Sequence, residues 1–138
     1  MSSFTLRARV LIAAAALAPL AILAVPTPAA AAQPELISEG LLRLPAQIDS
    51  CPVGYVCVYR DVGYAGGGYA INSGRALNDF RAIDFNDQMS SWANETAGRY
   101  CWYPDINYNG TRFAMRATTT SEAVNPENND TASSLEPC

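Results

Sequence analysis

Two short clusters hold most of the oxygen chemistry in this chain. Asn86-Asp87-Gln88-Met89-Ser90-Ser91 returns 43 residues later as Asn129-Asp130-Thr131-Ala132-Ser133-Ser134. Each cluster offers a carboxylate, an amide oxygen, hydroxyls and peptide carbonyls within six residues. Hard oxygen donors with no competing nitrogen or sulfur select Ca²⁺ over transition metals. One cluster alone falls short of the roughly 6–8 oxygens that Ca²⁺ takes, so a second loop must complete each site. Asn, Asp and Ser are also ordinary turn formers, and a single cluster would read as a turn. Two in register favour metal. The candidate ligands of two calcium sites are therefore Asn86, Asp87 and Ser90, then Asn129, Asp130 and Ser133, with Asp61 and Asp105 as contributors from elsewhere.

Asp61 and Asp105 belong to a second repeat. Cys57-Val58-Tyr59-Arg60-Asp61-Val62-Gly63-Tyr64-Ala65-Gly66 recurs at an offset of 44 as Cys101-Trp102-Tyr103-Pro104-Asp105-Ile106-Asn107-Tyr108-Asn109-Gly110, with Cys, Tyr, Asp, Tyr and Gly unchanged. Two motifs repeated in the same order indicate duplicated units that bury a core together. In the first unit Tyr55–Tyr59 reads as a strand, Gly66-Gly67-Gly68 as a turn, Tyr69–Ile71 as the returning strand, Leu77–Phe85 as a short mixed element and Ser90–Ala93 as a fourth strand. The second unit repeats this over 99–103, 111–116, 120–124 and 131–135. Short strands at roughly ten-residue spacing, rich in Tyr, Val, Ile and Thr, predict an all-β antiparallel sandwich, and eight strands in two units is Greek-key arithmetic. Gly66 and Gly110 stand where a folded hairpin needs positive φ or close backbone approach. Tyr59 and Tyr103, with Tyr64, Tyr108, Trp92 and Trp102, read as packing groups.

Composition narrows the function. The chain contains no His and no Lys; all nine basic residues are Arg against 13 acids. No Ser-His-Asp or Cys-His arrangement can be built, which argues against an enzyme. An acidic chain without a basic run argues against nucleic acid and anionic membrane as partners. At the N-terminus Arg7 and Arg9 precede the apolar run Val10–Val25, then Pro26-Thr27-Pro28 and Ala29–Ala32. That is the layout of a secretory signal peptide over 1–32, cut after Ala32, and it predicts an extracellular protein. As a membrane anchor the run is short and contains Pro19. The mature part is one domain's worth of chain, read as a monomer. Residues 33–50 read as a loosely packed N-terminal arm, with a docked helix or an added edge strand as the second reading, and 51–138 as the domain. Repeat boundaries fall near 95 and 96. The four cysteines, Cys51, Cys57, Cys101 and Cys138, all lie in the mature part and predict two disulfides. Three connectivities are open; the favoured one clips Cys51 to Cys57 at the first strand and ties Cys101 to Cys138 at the terminus.

The combined pattern resembles the βγ-crystallin family. Its aromatic-x4-aromatic-x-Gly signature is met by Tyr59, Tyr64 and Gly66 and by Tyr103, Tyr108 and Gly110, and its N/D-N/D-x-x-S/T-S calcium motif by 86–91 and 129–134. Cys51-Pro52-Val53-Gly54-Tyr55-Val56-Cys57 is similar to the opening of the secreted bacterial metalloproteinase inhibitors, which share the fold. The resemblance implies two Greek keys about a pseudo-twofold axis. It implies calcium sites shared between the motif of one unit and the first hairpin of the other. Gln88 and Thr131 would supply carbonyls, Ser90 and Ser133 hydroxyls, and the Asn-Asp pairs side-chain oxygens, while Ser91 and Ser134 would pin the hairpins. Calcium-binding members often carry an acid after the first hairpin aromatic, where this chain has Arg60 and Pro104. Asp61 and Asp105 are the acids left to compensate. The inhibitor resemblance implies an extracellular metalloproteinase as a protein partner, met by a rigid loop; the Gly63–Gly68 hairpin and Glu122–Asp130 are the candidates.

Overall fold

Alternation along the first long strand sets the layers. Val56 and Val58 point to one face, Cys57 and Tyr59 to the other, and all four are buried, so this strand is covered on both sides. The computed structural model describes residues 32–48 and 50–138, and the expected signal peptide lies, up to residue 31, outside the described residues. Nine antiparallel strands follow: β1 Glu35–Ser38, β2 Leu41–Leu44, β3 Tyr55–Asp61, β4 Ala65–Asn72, β5 Ser91–Asn94, β6 Tyr100–Tyr103, β7 Phe113–Met115, β8 Thr119–Ser121 and β9 Ser134–Pro137. They form a six-stranded sheet in the order β1-β2-β4-β3-β5-β8 and a three-stranded sheet β7-β6-β9.

The crossing of the units is what makes one molecule of two repeats. β8 belongs to the second repeat by sequence, yet it pairs with β5 of the first, Trp92 opposite Ser121. The reciprocal element of the first repeat is reduced to one bridge, Leu77 with Leu135 of β9. A short mixed element was expected over Leu77–Phe85, counted as one of eight strands. Instead Asp79 accepts a hydrogen bond from the Arg81 amide and opens a 3-10 turn at Phe80–Ile83. The turn lets both Phe80 and Phe85 enter the core, where their rings meet edge to face at 5.7 Å. Between the sheets Val56, Val58, Ile71, Met89, Trp102, Met115 and Leu135 complete that core. A second, smaller cluster of Leu44, Cys51, Cys57, Tyr59, Ala70 and Ala93 lies on the other face of β3.

Both disulfides take the favoured connectivity, Cys51–Cys57 and Cys101–Cys138. Residues 35–44 depart from a loose arm. They form a hairpin whose second strand pairs in register with β4, Leu42 opposite Ala70, and Leu41 and Leu44 are buried. The reason is that β4 would otherwise be an open edge, and β2 satisfies its backbone while burying Leu41 on one side of the sheet and Leu44 on the other.

Candidate functional site

The two motifs sit against each other across the pseudo-twofold axis. In each, the aspartate adopts the left-handed conformation, φ 55° at Asp87 and 56° at Asp130. Asp and Asn tolerate that region better than most residues, so the backbone as well as the chemistry selects them. The kink aims each aspartate amide at the opposite motif: Asp87 N–H donates to the Ala132 carbonyl at 3.0 Å, and Asp130 N–H to that of Met89 at 3.1 Å. The carboxylates follow. Ser90 Oγ donates to Asp130 Oδ1 at 3.0 Å, and Ser133 Oγ to Asp87 Oδ1 at 3.3 Å. The second oxygen of each carboxylate is held from its own side, by Asn86 Nδ2 and Asn129 Nδ2, both at 2.7 Å.

Two half-sites result, each with a hydroxyl from one repeat and a carboxylate from the other. In the first, Ser90 and Asp130 converge beside Gln88; in the second, Ser133 and Asp87 converge beside Thr131. The Ser90 amide donates to the Tyr59 carbonyl at 2.9 Å and the Ser133 amide to the Tyr103 carbonyl at 2.8 Å. The residue following each tyrosine, Arg60 or Pro104, therefore flanks the motif of its own repeat. The hairpin beside each motif comes from the same repeat, and the aspartate is what crosses, the reverse of the expected sharing. Thr131 Oγ1 donates to Asn128 at 2.7 Å, leaving its peptide carbonyl as the group that could face a cation.

Asp61 and Asp105 are placed elsewhere. A Cβ on Gly66 would lie 2.5 Å from Asp61 Oδ2, and one on Gly110 would lie 2.8 Å from Asp105 Oδ2. Each carboxylate is folded over the glycine of its own hairpin. Positive φ, 74° at Gly66 and 87° at Gly110, and this close approach both require glycine there. The peptide carbonyls of Asp61 and Asp105 accept from Ser91 Oγ and Ser134 Oγ, both at 2.6 Å, and the same hydroxyls accept from the Tyr64 and Tyr108 amides at 3.1 Å. Both serines thus staple a folded hairpin to the strand beneath it. The tyrosine pairs Tyr59–Tyr64 and Tyr103–Tyr108 pack edge to face at 5.7 and 6.1 Å over the same corners.

The half-sites differ in one respect. Arg60, Asp87, Gln88 and Asp130 line a shallow cleft of about 220 Å³. The Arg60 guanidinium is fixed there: Nε donates to Gln88 Oε1 at 2.6 Å, Nη2 donates to the Asp84 carbonyl at 3.0 Å, and Cζ lies 5.2 Å from the Phe85 ring centroid. Pro104 at the matching place carries no charge. The donor set otherwise suits a hard cation, since carboxylate, hydroxyl and carbonyl oxygens converge without soft ligands. Asn86 Oδ1, buried within the cluster with no hydrogen-bond donor, is a further oxygen with acceptor capacity to spare. Among the described residues no three acidic, thiol or imidazole groups gather, so a cation here would draw largely on neutral oxygens.

One exposed group escaped the reading of the sequence. Val53 is 90 % exposed, at the tip of the ring closed by Cys51–Cys57. The loop is locked by Tyr55 N–H to Pro52, Gly54 N–H to Glu95 and Ser73 N–H to Gly54. The signal was present: a valine between Pro and Gly inside so short a cystine ring cannot turn inward. The Gly63–Gly68 hairpin and the Glu122–Asp130 stretch touch, with Gly63 N–H donating to the Glu122 carbonyl at 2.8 Å, and Val62 stands 59 % exposed beside them.

Residues 45–114 match the model of peptidase inhibitor family I36. The chain belongs to that family. Its fold is that of the βγ-crystallins. A structure described under the evolution of the eye lens βγ-crystallin domain fold is 21 % identical, with a TM-score of 0.62 over 71 % of this chain and 96 % of that one. A βγ-crystallin from Ciona intestinalis is 21 % identical at TM-score 0.53, covering 62 % of this chain and all of its own. A double mutant of a βγ-crystallin domain from Clostridium beijerinckii is 24 % identical at 0.51, covering 60 % and 94 %. No curated protein sequence matches the chain. A peptidase inhibitor family is a non-enzymatic kind of protein, in keeping with a chain that lacks histidine.

Proposed function

We propose that this protein is an extracellular inhibitor of a metallopeptidase, built on a Greek-key frame that a bound cation braces. The family match over 45–114 carries the first half of that reading. Inhibition of a peptidase requires a loop that enters the cleft without reorganising and resists cleavage there. The cystine-closed loop at Val53 and the stapled hairpin at Val62 are rigid, exposed and apolar at their tips. They are the surfaces a peptidase would meet first. Titrating the oxidised protein into a thermolysin-type metallopeptidase tests this, with stoichiometric loss of peptidase activity expected. Val53→Asp and Val62→Asp then identify the contacting loop. Full peptidase activity at stoichiometric excess of inhibitor removes the reading for that class.

A second reading, calcium binding, rests on the reciprocal pairs Ser90–Asp130 and Ser133–Asp87. Calcium would bridge hydroxyl and carboxylate oxygens from opposite repeats, with carbonyls of Gln88 and Thr131, and so hold the repeats together. At free calcium 100-fold above the dissociation constant, binding would stabilise the fold by about 2.7 kcal/mol. Calorimetric titration with calcium chloride, followed by thermal melts, checks it. Heat and a raised melting temperature are expected, both lost in Asp87→Ala/Asp130→Ala. Neither appearing in the unmodified protein refutes it.

A further inference from the structure

The two half-sites are matched oxygen for oxygen, but only one has a cation of its own. Arg60 forms a wall of the cleft that Gln88, Asp87 and Asp130 also line. Two hydrogen bonds and the Phe85 and Tyr69 rings hold its guanidinium in place, so the charge does not swing away into solvent. One of those bonds takes the side chain of Gln88, the residue whose backbone the first half-site needs. The second half-site has Pro104 at the equivalent position, with no charge and no side-chain donor.

Resting on the calcium reading above, we infer that Arg60 is a tethered internal cation that replaces metal in the Ser90–Asp130 half-site. The protein then binds one calcium ion, at the Ser133–Asp87 half-site, although its sequence carries two complete motifs. The physical reason is repulsion on top of screening. A unit positive charge about 6 Å from a divalent ion lowers its affinity on the order of tenfold even at the dielectric of water. The guanidinium, which shares the cleft with Asp130, also draws off part of the negative potential of the carboxylate that the first half-site uses. In this arrangement a fixed positive charge already lines the first half-site's cleft without calcium, and only the second half-site responds to it.

Calorimetry with calcium chloride on the oxidised protein decides the matter. One ion per chain is expected. Ser133→Ala should abolish that event, and Ser90→Ala should weaken it far less. Arg60→Met, which removes the charge and keeps much of the length, should raise the capacity to two ions, or raise the weaker affinity by roughly tenfold or more. Arg60→Lys, which keeps the charge, should stay at one. Two ions of similar affinity in the unmodified protein would overturn the inference, as would loss of binding in Ser90→Ala with retention in Ser133→Ala. A folded Arg60→Met that still binds one ion overturns it too. The serine pair decides the assignment without touching Arg60, should Arg60→Met not fold. Absence of heat in every variant overturns the calcium reading itself, an outcome separate from a wrong site count.

Discussion

The Tyr59 phenol is buried under the first folded hairpin, and burial, with the charges of Tyr64 and Glu95 adding to it, pushes its pKa from 10.0 up to about 12. The folded chain therefore keeps a proton that the unfolded chain releases above pH 10.0. The associated stability is fully present below that pH and is lost as pH rises toward about 12. Tyr100, Tyr103 and Tyr108 are raised as well, each chiefly by burial, so the same alkaline window loosens several corners together. Denaturant melts from about pH 8 to about 12 should show falling stability, with a shallower fall in Tyr59→Phe. An identical slope in the variant would mean that Tyr59 ionises without reference to the fold. The serines beneath the hairpins work at the same scale. Ser91 and Ser134 each accept one hydrogen bond and donate another, and their burial is tolerable because both functions are satisfied.

Among the elements, the β1–β2 hairpin is the addition to two Greek keys. β2 covers the edge of β4, and Leu41 packs among the core residues between the sheets while Leu36 of β1 is 68 % exposed. Leu41→Ala should cost about 2–4 kcal/mol through lost burial and a cavity, and Leu36→Ala no more than about 0.5. Urea unfolding measures both. Equal, small effects would indicate that the hairpin is detached in solution. The 3-10 turn at Phe80–Ile83 shows the opposite trade. A strand is given up so that two aromatic rings can be buried, and one bridge at Leu77 is enough to carry the crossover.

At the scale of the molecule, the two disulfides constrain very different lengths of chain. Cys51–Cys57 closes a separation of 6 residues and Cys101–Cys138 one of 37. In the loop-entropy view, removing the short link by paired Cys→Ala substitution should cost about 2 kcal/mol and removing the long one about 4. The long link also anchors β9, whose Leu135 pairs with Trp102 and bridges to Leu77 of the other repeat. Thermal melts of the two paired variants give the order, and a reversed order would mean that β9 holds its place without the tether.

Much of this was legible without coordinates, because the signals are local. The run 55–59 announced a strand, the fold-over glycines at 66 and 110 announced φ values open to few other residues, and Cys51 and Cys57 are near enough in sequence that pairing them is geometrically simple. The duplicated motifs gave the Greek keys and the family resemblance. Other features depended on contacts between segments far apart in the chain. Nothing within 35–44 says that β4 has an open edge for it to fill, so the hairpin looked like an arm. The spacing of Asp61 and Asp105 suggested cation ligands, but each carboxylate is consumed over its own glycine, a contact that exists only once the hairpin folds back. Sequence alone determined which oxygens are available and that they come in two matched sets. The tertiary structure decided which of them meet, since the left-handed turn at Asp87 and Asp130 aims each carboxylate across the axis at the other repeat's serine and sets Arg60, tethered to Gln88, in the cleft that both carboxylates line.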